Sequence, residues 1–152
     1  MARRVAERGF TLMEFLIATV LLAIFIAMAL PSFQGIIANN RVKSASEQLQ
    51  AALFFTRSEA VKRNQTVSLS CKTGGCQNGW TVTVDVSGTQ LAAQNSFGDV
   101  NLQITGSTSA SVSRNGRATT TAAFNVIRTD KGYQRCVRLY LSGLSEVSDA
   151  GC

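Results

Sequence analysis

Residues 8–30 read RGFTLMEFLIATVLLAIFIAMAL, and this stretch determines the structure expected of the N-terminal part of the chain. From Phe10 onward, only Thr11, Glu14 and Thr19 interrupt an apolar run of 21 residues. As a helix that rises about 1.5 Å per residue, the run would be about 30 Å long, the thickness of the hydrocarbon core of a bilayer. The stretch therefore predicts a membrane-spanning helix.

The residues that flank this run predict its orientation and leave three interpretations open. Arginines at positions 3, 4 and 8 face a single acidic residue, Glu7, so the N-terminus should stay in the cytoplasm and the rest of the chain should cross the membrane. The run could be a secretory signal cleaved after Ala29, a plain signal anchor, or a helix whose N-terminal end takes part in chemistry. Glu14 favours the third, because an ionised carboxylate in hydrocarbon costs several kcal/mol unless it finds a partner.

The composition excludes several classes of enzyme. The chain has 152 residues, 15 of them Lys or Arg and 9 Asp or Glu, for a net charge of +6, and it has no histidine. Without histidine it lacks the commonest general base and the commonest metal ligand, so Ser-His-Asp and Cys-His enzymes are excluded.

The beginning of the apolar run carries a resemblance to a known family. RGFTLMEFL, residues 8–16, resembles the type III signal of type IV pilins and type II secretion pseudopilins. Members of this family are cut after the glycine and N-methylated on the next residue by a prepilin peptidase. The resemblance implies a leader peptide of residues 1–9, cleavage between Gly9 and Phe10, and methylation of Phe10.

Two further landmarks of the family stand in register with this signal. Counted from Phe10, Glu14 is the fifth residue and Pro31 the 22nd, where the family carries a glutamate and a proline. The resemblance implies that Glu14 pairs with the N-terminal amine of a neighbouring subunit in the filament. Pro31 should bend or loosen the helix, or alternatively it marks the end of the anchor helix.

Beyond Pro31 the helical spacing of apolar residues continues and predicts an amphipathic helix over residues 39–63. The apolar stripe consists of Val42, Ala45, Leu49, Ala52, Leu53 and Ala60. The charged residues Arg41, Lys43, Glu47 and Glu59 lie largely off that stripe.

The part of the chain that follows is rich in short β-branched runs separated by glycines, which is typical of antiparallel strands. The predicted strands are Thr66–Cys71, Trp80–Val86, Val100–Ile104, Ala122–Ile127 and Cys136–Leu141. The predicted fold class is α+β, with a long N-terminal helix packed on an antiparallel β-rich head, as in type IV pilins. Its segments would be a hydrophobic transmembrane or filament-core helix, 10–38, and an extracytoplasmic head, 39–152, with its β-sheet over 66–152.

Motifs within the head indicate which branch of the pilin superfamily the chain resembles. TRSEAVKRN, residues 56–64, closely resembles a helix end in the FimT/GspH family of minor pilins and H-type pseudopilins. GWTV, residues 79–82, matches a strand start of that family, and SRNGR, residues 113–117, loosely matches a later turn. A buried indole and a helix C-terminus rich in cations also have a purely architectural explanation, which we favour.

Four cysteines lie in the predicted extracytoplasmic part, where disulfides form. They are Cys71, Cys76, Cys136 and Cys152. Of the three possible connectivities we prefer Cys71 with Cys76 and Cys136 with Cys152. A zinc site built from all four thiolates is the competing interpretation, weakened because the chain has no CxxC spacing.

Basic residues concentrate between Arg114 and Arg138, where only Asp130 opposes them, and they could form a phosphate-binding patch. Possible DNA contacts are Arg114, Arg117, Arg128, Arg135 and Arg138, with Lys131 nearby in sequence. Some FimT-type relatives bind DNA through a Gly-Arg-x-Arg element. The corresponding turn here, Gly143-Leu144-Ser145-Glu146, lacks both arginines, so a solvated basic face or salt bridges between subunits are the favoured explanation.

The resemblance implies a structural role in assembly, so we expect no enzymatic activity, no cofactor and no metal site. We expect a minor pilin or pseudopilin at the tip of a type IV pilus or type II secretion pseudopilus, where it helps to initiate the filament. Its partners would be a prepilin peptidase, other minor pilins and the major pilin or pseudopilins, and lipid of the inner membrane before assembly. The head would lie in the periplasm. The alternatives are a DNA receptor at the filament tip and an anchored envelope protein that never assembles.

Overall fold

A computed structural model describes the backbone of residues 10–152 and their side chains except those of residues 29–32. Residues 1–9, which include the predicted leader peptide and Gly9, lie outside the described part. The chain divides after Ile36 into an N-terminal unit and a head of Ile37–Cys152. The elements are α1 (Leu12–Arg63), β1 (Val67–Cys71), a 3-10 turn (Cys76–Asn78), β2 (Gly79–Val84), β3 (Gln90–Asn95), β4 (Leu102–Gly106), β5 (Ser109–Val112), β6 (Ala122–Arg128), β7 (Gln134–Leu139) and β8 (Ser145–Ser148).

The N-terminal unit exposes its apolar side chains on all sides of the helix. Phe15 is 65% exposed, Leu21 50% and Phe25 67%. This part of α1 is long and apolar enough to cross a membrane, with a mean hydropathy of 2.5 over 18 residues, none of them buried. A helix that is apolar on every side must bury that surface in lipid or against other chains, because this unit does not bury it.

The backbone of α1 stays helical past Pro31 and ends only at Arg63. Proline inside a helix removes one backbone hydrogen bond but does not have to terminate the helix. The alternative in which Pro31 ends the anchor helix is therefore wrong.

Within the head, α1 buries the apolar stripe that its sequence predicts. Val42, Ala45, Leu49 and Ala60 are completely inaccessible to solvent. The expectation that Glu59 lies off this stripe is wrong, because Glu59 is buried as well. Its carboxylate is compensated by cations one helical turn further on, as described below.

The head contains two four-stranded antiparallel sheets, with strand orders β3-β2-β1-β5 and β4-β6-β7-β8. In the first sheet, Leu69 of β1 lies across from Val82 of β2 and Ala110 of β5. In the second, Phe124 of β6 lies across from Val137 of β7. A single buried apolar cluster joins both sheets to α1. The predicted fold class is confirmed.

Three strands of the head escaped prediction from the sequence: β3, β5 and β8. They read QLAAQN, SASV and SEVS, and all three lie at the edges of their sheets. An edge strand pairs on one side only and packs less apolar surface, so it does not need the β-branched run that marks a central strand. The predicted single sheet over 66–152 is corrected to two sheets.

Two disulfides join the four cysteines. Cys71 is bonded to Cys76 across the turn after β1, and Cys136 of β7 is bonded to Cys152 at the end of the chain. This is the connectivity preferred from the sequence. Since all four sulfurs are in disulfides, the alternative of a four-thiolate zinc site is wrong.

Candidate functional site

The N-terminus of α1 is closed by a reciprocal pair of side chains. The backbone N–H and the hydroxyl of Thr11 both donate to Oε2 of Glu14, each at 2.9 Å. The backbone N–H of Glu14 donates in return to Oγ1 of Thr11, at 3.2 Å. This is a capping box, in which residues three apart satisfy helix N–H groups that have no partner within the helix.

Glu14 therefore has a role within its own chain that the sequence analysis overlooked, although the Thr-x-x-Glu spacing was available to predict it. Within the described part, only Oε2 of Glu14 takes part in hydrogen bonds. A carboxylate can accept on both oxygens, so Oε1 is left to accept a donor from another molecule. The capping box thus orients the carboxylate and keeps one of its oxygens available.

The predicted DNA-contacting arginines do not form one surface, and Arg128 is engaged inside the head. Its Nη1 donates to Oδ2 of Asp99 at 2.5 Å and its Nε to Oδ1 of Asp130 at 2.7 Å. Arg41 of α1 donates to the same oxygen of Asp99 at 2.6 Å. The hydrogen bond from Arg41, aided by Arg128 and opposed by burial, lowers the pKa of Asp99 below its ordinary value. Arg128 is thus a structural cross-link between the β3–β4 loop and the second sheet.

Arg135 and Arg138 lie on opposite faces of β7, because side chains alternate along a strand and these positions are three apart. Arg135 is only 19% exposed and pairs with Asp149 at 2.5 Å. Arg138 is exposed and lies across from Glu146 of β8. Of the five predicted contacts, only Arg114 and Arg117 share one exposed turn, and no carboxylate of the described part lies within 4.0 Å of either.

Comparison with known families identifies the chain. A family model described as "Type II transport protein GspH" matches residues 45–143, and one described as "Prokaryotic N-terminal methylation motif" matches residues 4–30. The chain belongs to the GspH family. The resemblance to FimT/GspH-type pilins is confirmed.

Solved structures of similar fold include two pilin-type proteins. The type IV minor pilin FimU of Pseudomonas aeruginosa PAO1 is 22% identical, with a TM-score of 0.64, over 72% of this chain and 89% of that one. The minor pseudopilin EpsH of the Vibrio cholerae type 2 secretion system is 13% identical, with a TM-score of 0.55, over 72% of this chain and 97% of that one. No curated protein matches the chain by sequence. At these identities the likeness concerns the fold alone.

The segment TRSEAVKRN, whose resemblance pointed to the GspH family, forms the C-terminal end of α1. Asn64 adopts a left-handed conformation, with φ at 53°, and its N–H donates to the carbonyl of Val61 while that of Gln65 donates to Ala60. These two bonds form a Schellman motif, which satisfies carbonyls at a helix end. Arg63 donates to Glu59 at 2.6 Å.

The Arg63 hydrogen bond is the main cause of a lowered pKa of Glu59. These contacts give the end of the helix an architectural explanation. The same holds for the strand start of residues 79–82. Trp80 is buried and packs against Phe97, with ring centroids 5.7 Å apart.

Proposed function

We propose that this chain is a minor pilin-type subunit that a prepilin peptidase processes and that enters the tip of a type IV pilus or a type II secretion pseudopilus. There it would lower the cost of the first assembly steps. One observation carries the proposal: a methylation motif is joined to a helix whose apolar side chains stay exposed on every side. The apolar surface of such a helix can be buried in lipid before assembly and against other pilin helices in the filament.

Processing would act on the residues next to the capping box. Cleavage between Gly9 and Phe10 creates an α-amino group one residue before Thr11, and methylation of Phe10 follows. Glu14, fixed by Thr11 and with Oε1 available, would accept the amine of a neighbouring subunit when the helix leaves the membrane. Pro31 would let the helix adjust within the filament.

The proposed location follows from the N-terminal charges and the exposed helix. Before assembly, the helix would span the inner membrane with the head in the periplasm. After assembly, the head would contact other minor pilins and the major pilin or pseudopilins. An anchored envelope protein that never enters a filament is the competing account.

Processing can be tested on the full chain produced together with an active prepilin peptidase. Mass spectrometry should find an N-terminus at Phe10 carrying one added methyl group. Gly9→Val should keep residues 1–9 attached, because a β-branched side chain replaces the glycine at the cut, whereas Ala6→Val should be processed normally. A wild-type chain that keeps its first nine residues beside an active peptidase would refute the proposal.

Incorporation can be tested on sheared, purified filaments. The wild-type chain should be found at filament ends by immunogold labelling, and deleting it should reduce the number of filaments. Glu14→Leu should lower incorporation at least tenfold, since it removes both the capping box and the acceptor for a neighbouring amine. Glu47→Leu is the matched control, because Glu47 lies exposed on α1 in the head.

A DNA receptor remains the second candidate, supported by the two exposed arginines of one turn, Arg114 and Arg117. Because Arg128 and Arg135 are held in ion pairs, the patch is smaller than the sequence predicted. Phosphate contacts would appear as binding of duplex DNA that weakens steeply with added salt.

A further inference from the structure

One side chain of the C-terminal part of α1 lies between two glycine turns of the head. A Cβ atom added to Gly116 would lie 3.4 Å from Nε of Arg57 and 3.1 Å from Cγ2 of Val61. One added to Gly143 would lie 3.2 Å from the same Nε and would collide with the carbonyl of Gly116. The helix and both turns therefore touch at these two glycines, and we call this place the Arg57 junction.

The two turns are built so that they can approach each other. Gly116 and Gly143 have φ values of +76° and +78°, a conformation that favours glycine. The first turn is closed by the N–H of Gly116 donating to the carbonyl of Ser113, and the second by the N–H of Gly143 donating to that of Tyr140. The Arg57 junction is thus a fixed feature of the backbone.

The Arg57 junction carries cations without matching anions. Arg57 is half-buried, and Arg114 and Arg117 project from the first turn as exposed residues. Across residues 10–152, no ion pair within 4.0 Å is formed by any of the three. Taking a guanidinium partly out of water without a counter-charge is costly, so a carboxylate supplied from outside would be favourable here.

Exposed apolar side chains lie beside these cations. Val61 is 54% exposed, Leu141 48% and Leu144 55%. Val61 contacts the first turn, and both leucines belong to the second turn or its immediate border. Arginine is enriched at protein interfaces and the buried centre of such an interface is apolar, whereas nucleic-acid interfaces are more polar and more positively charged.

We propose that the Arg57 junction is the docking surface for the head of another pilin-type subunit, which presents a carboxylate to Arg57, Arg114 and Arg117 and apolar side chains to Val61 and Leu144. The inference rests on the proposed function, since it takes the partner to be a fellow filament subunit. It adds which face of the head makes the contact and which chemistry the partner must present.

The test uses the full chain, with a photo-crosslinking amino acid in place of Leu144, in its own host. It is produced with each chain of that host that carries an N-terminal methylation motif. The same amino acid in place of Val100, which is 92% exposed, is the control position. We expect one pilin-type chain to be crosslinked from position 144 and not from position 100.

Charge reversal tests whether the crosslink depends on a specific contact with the arginines or only on the proximity of the two chains. Arg114→Glu with Arg117→Glu should reduce the crosslink at least tenfold, because like charges then face each other. Lys131→Glu, an exposed reversal on the β6–β7 turn, should leave it unchanged. An acidic residue of the crosslinked partner changed to lysine should restore the crosslink to the double variant. An unchanged thermal unfolding midpoint of the double variant would show that the head still folds.

Two outcomes would overturn the inference. The first is a chain that enters filaments but gives no crosslink from position 144, or one that charge reversal does not alter. The second is salt-sensitive binding of duplex DNA by the full chain that the double variant abolishes, with no pilin-type crosslink. A chain absent from filaments would instead refute the proposed function, and a crosslink with normal incorporation would support both.

Discussion

The two ends of α1 have the same secondary structure but opposite relations to their surroundings. Along the first part, residues such as Phe15 and Phe25 are more than half exposed on every side of the helix. Along the part inside the head, Val42 and Leu49 lie on one apolar stripe and are themselves completely buried. One continuous helix therefore combines a segment that leaves its apolar side chains exposed with a segment that buries its apolar stripe in the head.

The difference shows that helix formation and burial are specified separately. An apolar residue every third or fourth position buries one stripe and leaves the other face for water, whereas an unbroken apolar run suits lipid or a filament core. The charged residues follow the same division. Arg41 and Glu59 find partners within the head, while Glu14 contacts only its neighbour Thr11 within the described part. The N-terminal part of α1 should thus contribute to assembly, and the part inside the head should contribute to the folding of the head.

The largest expected effect comes from truncating one leucine in each part of α1. Leu49→Ala should lower the free energy of unfolding of the head by about 2–5 kcal/mol, since it leaves a cavity in a closed core. Leu21→Ala should leave unfolding of the head unchanged, because Leu21 is 50% exposed and its truncation leaves no buried cavity. Denaturant unfolding of the full chain in detergent, followed by the fluorescence of Trp80, measures both.

For incorporation into filaments, we expect Leu21→Ala to have the larger effect of the two substitutions. Leu21→Ala should reduce incorporation into filaments even though it leaves unfolding of the head unchanged. If Leu21→Ala destabilised the head as much as Leu49→Ala, the two parts of α1 would not be energetically separate.

The sequence predicted the helix stripe and the central strands because repeated apolar residues determine both. Val42, Leu49 and Leu53 follow the helical period, and β1, β2 and β6 are runs of β-branched and apolar residues. The edge strands β3, β5 and β8 were not predicted, because their residues are small or polar and their pairing depends on a neighbour distant in sequence.

Most contacts between charged residues could not be predicted from the sequence. Arg41 and Asp99 are 58 positions apart, and only the fold brings them together. By contrast, Glu59 and Arg63 are four positions apart on a helix, and Thr11 and Glu14 carry a known capping spacing. Those two pairs could have been predicted, whereas the dispersal of the basic residues over both faces of β7 required the strand register.

A second prediction concerns Asp99, which ties the helix segment of the head to the β3–β4 loop. Its pKa is lowered in the folded state, so its stabilising effect is complete above its unfolded pKa of about 3.9 and disappears as the pH falls through the lower folded value. At neutral pH, Asp99→Asn should cost about 1.5–3 kcal/mol, because Arg41 and Arg128 lose a charged acceptor. The difference in unfolding free energy between variant and wild type should narrow as the pH is lowered from 7 and should vanish below the folded pKa of Asp99.

Asp149 provides the control for this pH dependence. It also pairs with an arginine, Arg135, but its side chain is 81% exposed. An exposed ion pair contributes little, so Asp149→Asn should change stability by less than about 1 kcal/mol at any pH. An equal effect of both substitutions would mean that burial of Asp99 does not strengthen its ion pairs.

The smallest changes in stability are expected at the two caps of α1. Asn64→Val should destabilise the head by about 1–2 kcal/mol, because a β-branched residue fits the left-handed conformation poorly, whereas Asn64→Gly should change stability by less than about 0.5 kcal/mol.

Thr11→Ala removes a capping contribution of about 1 kcal/mol from the other end of the same helix. That loss should be visible as increased hydrogen exchange of the first turn, with the unfolding of the head unchanged. Destabilisation of the head by Thr11→Ala would show that the helix transmits stability along its whole length and that its two ends are one cooperative unit.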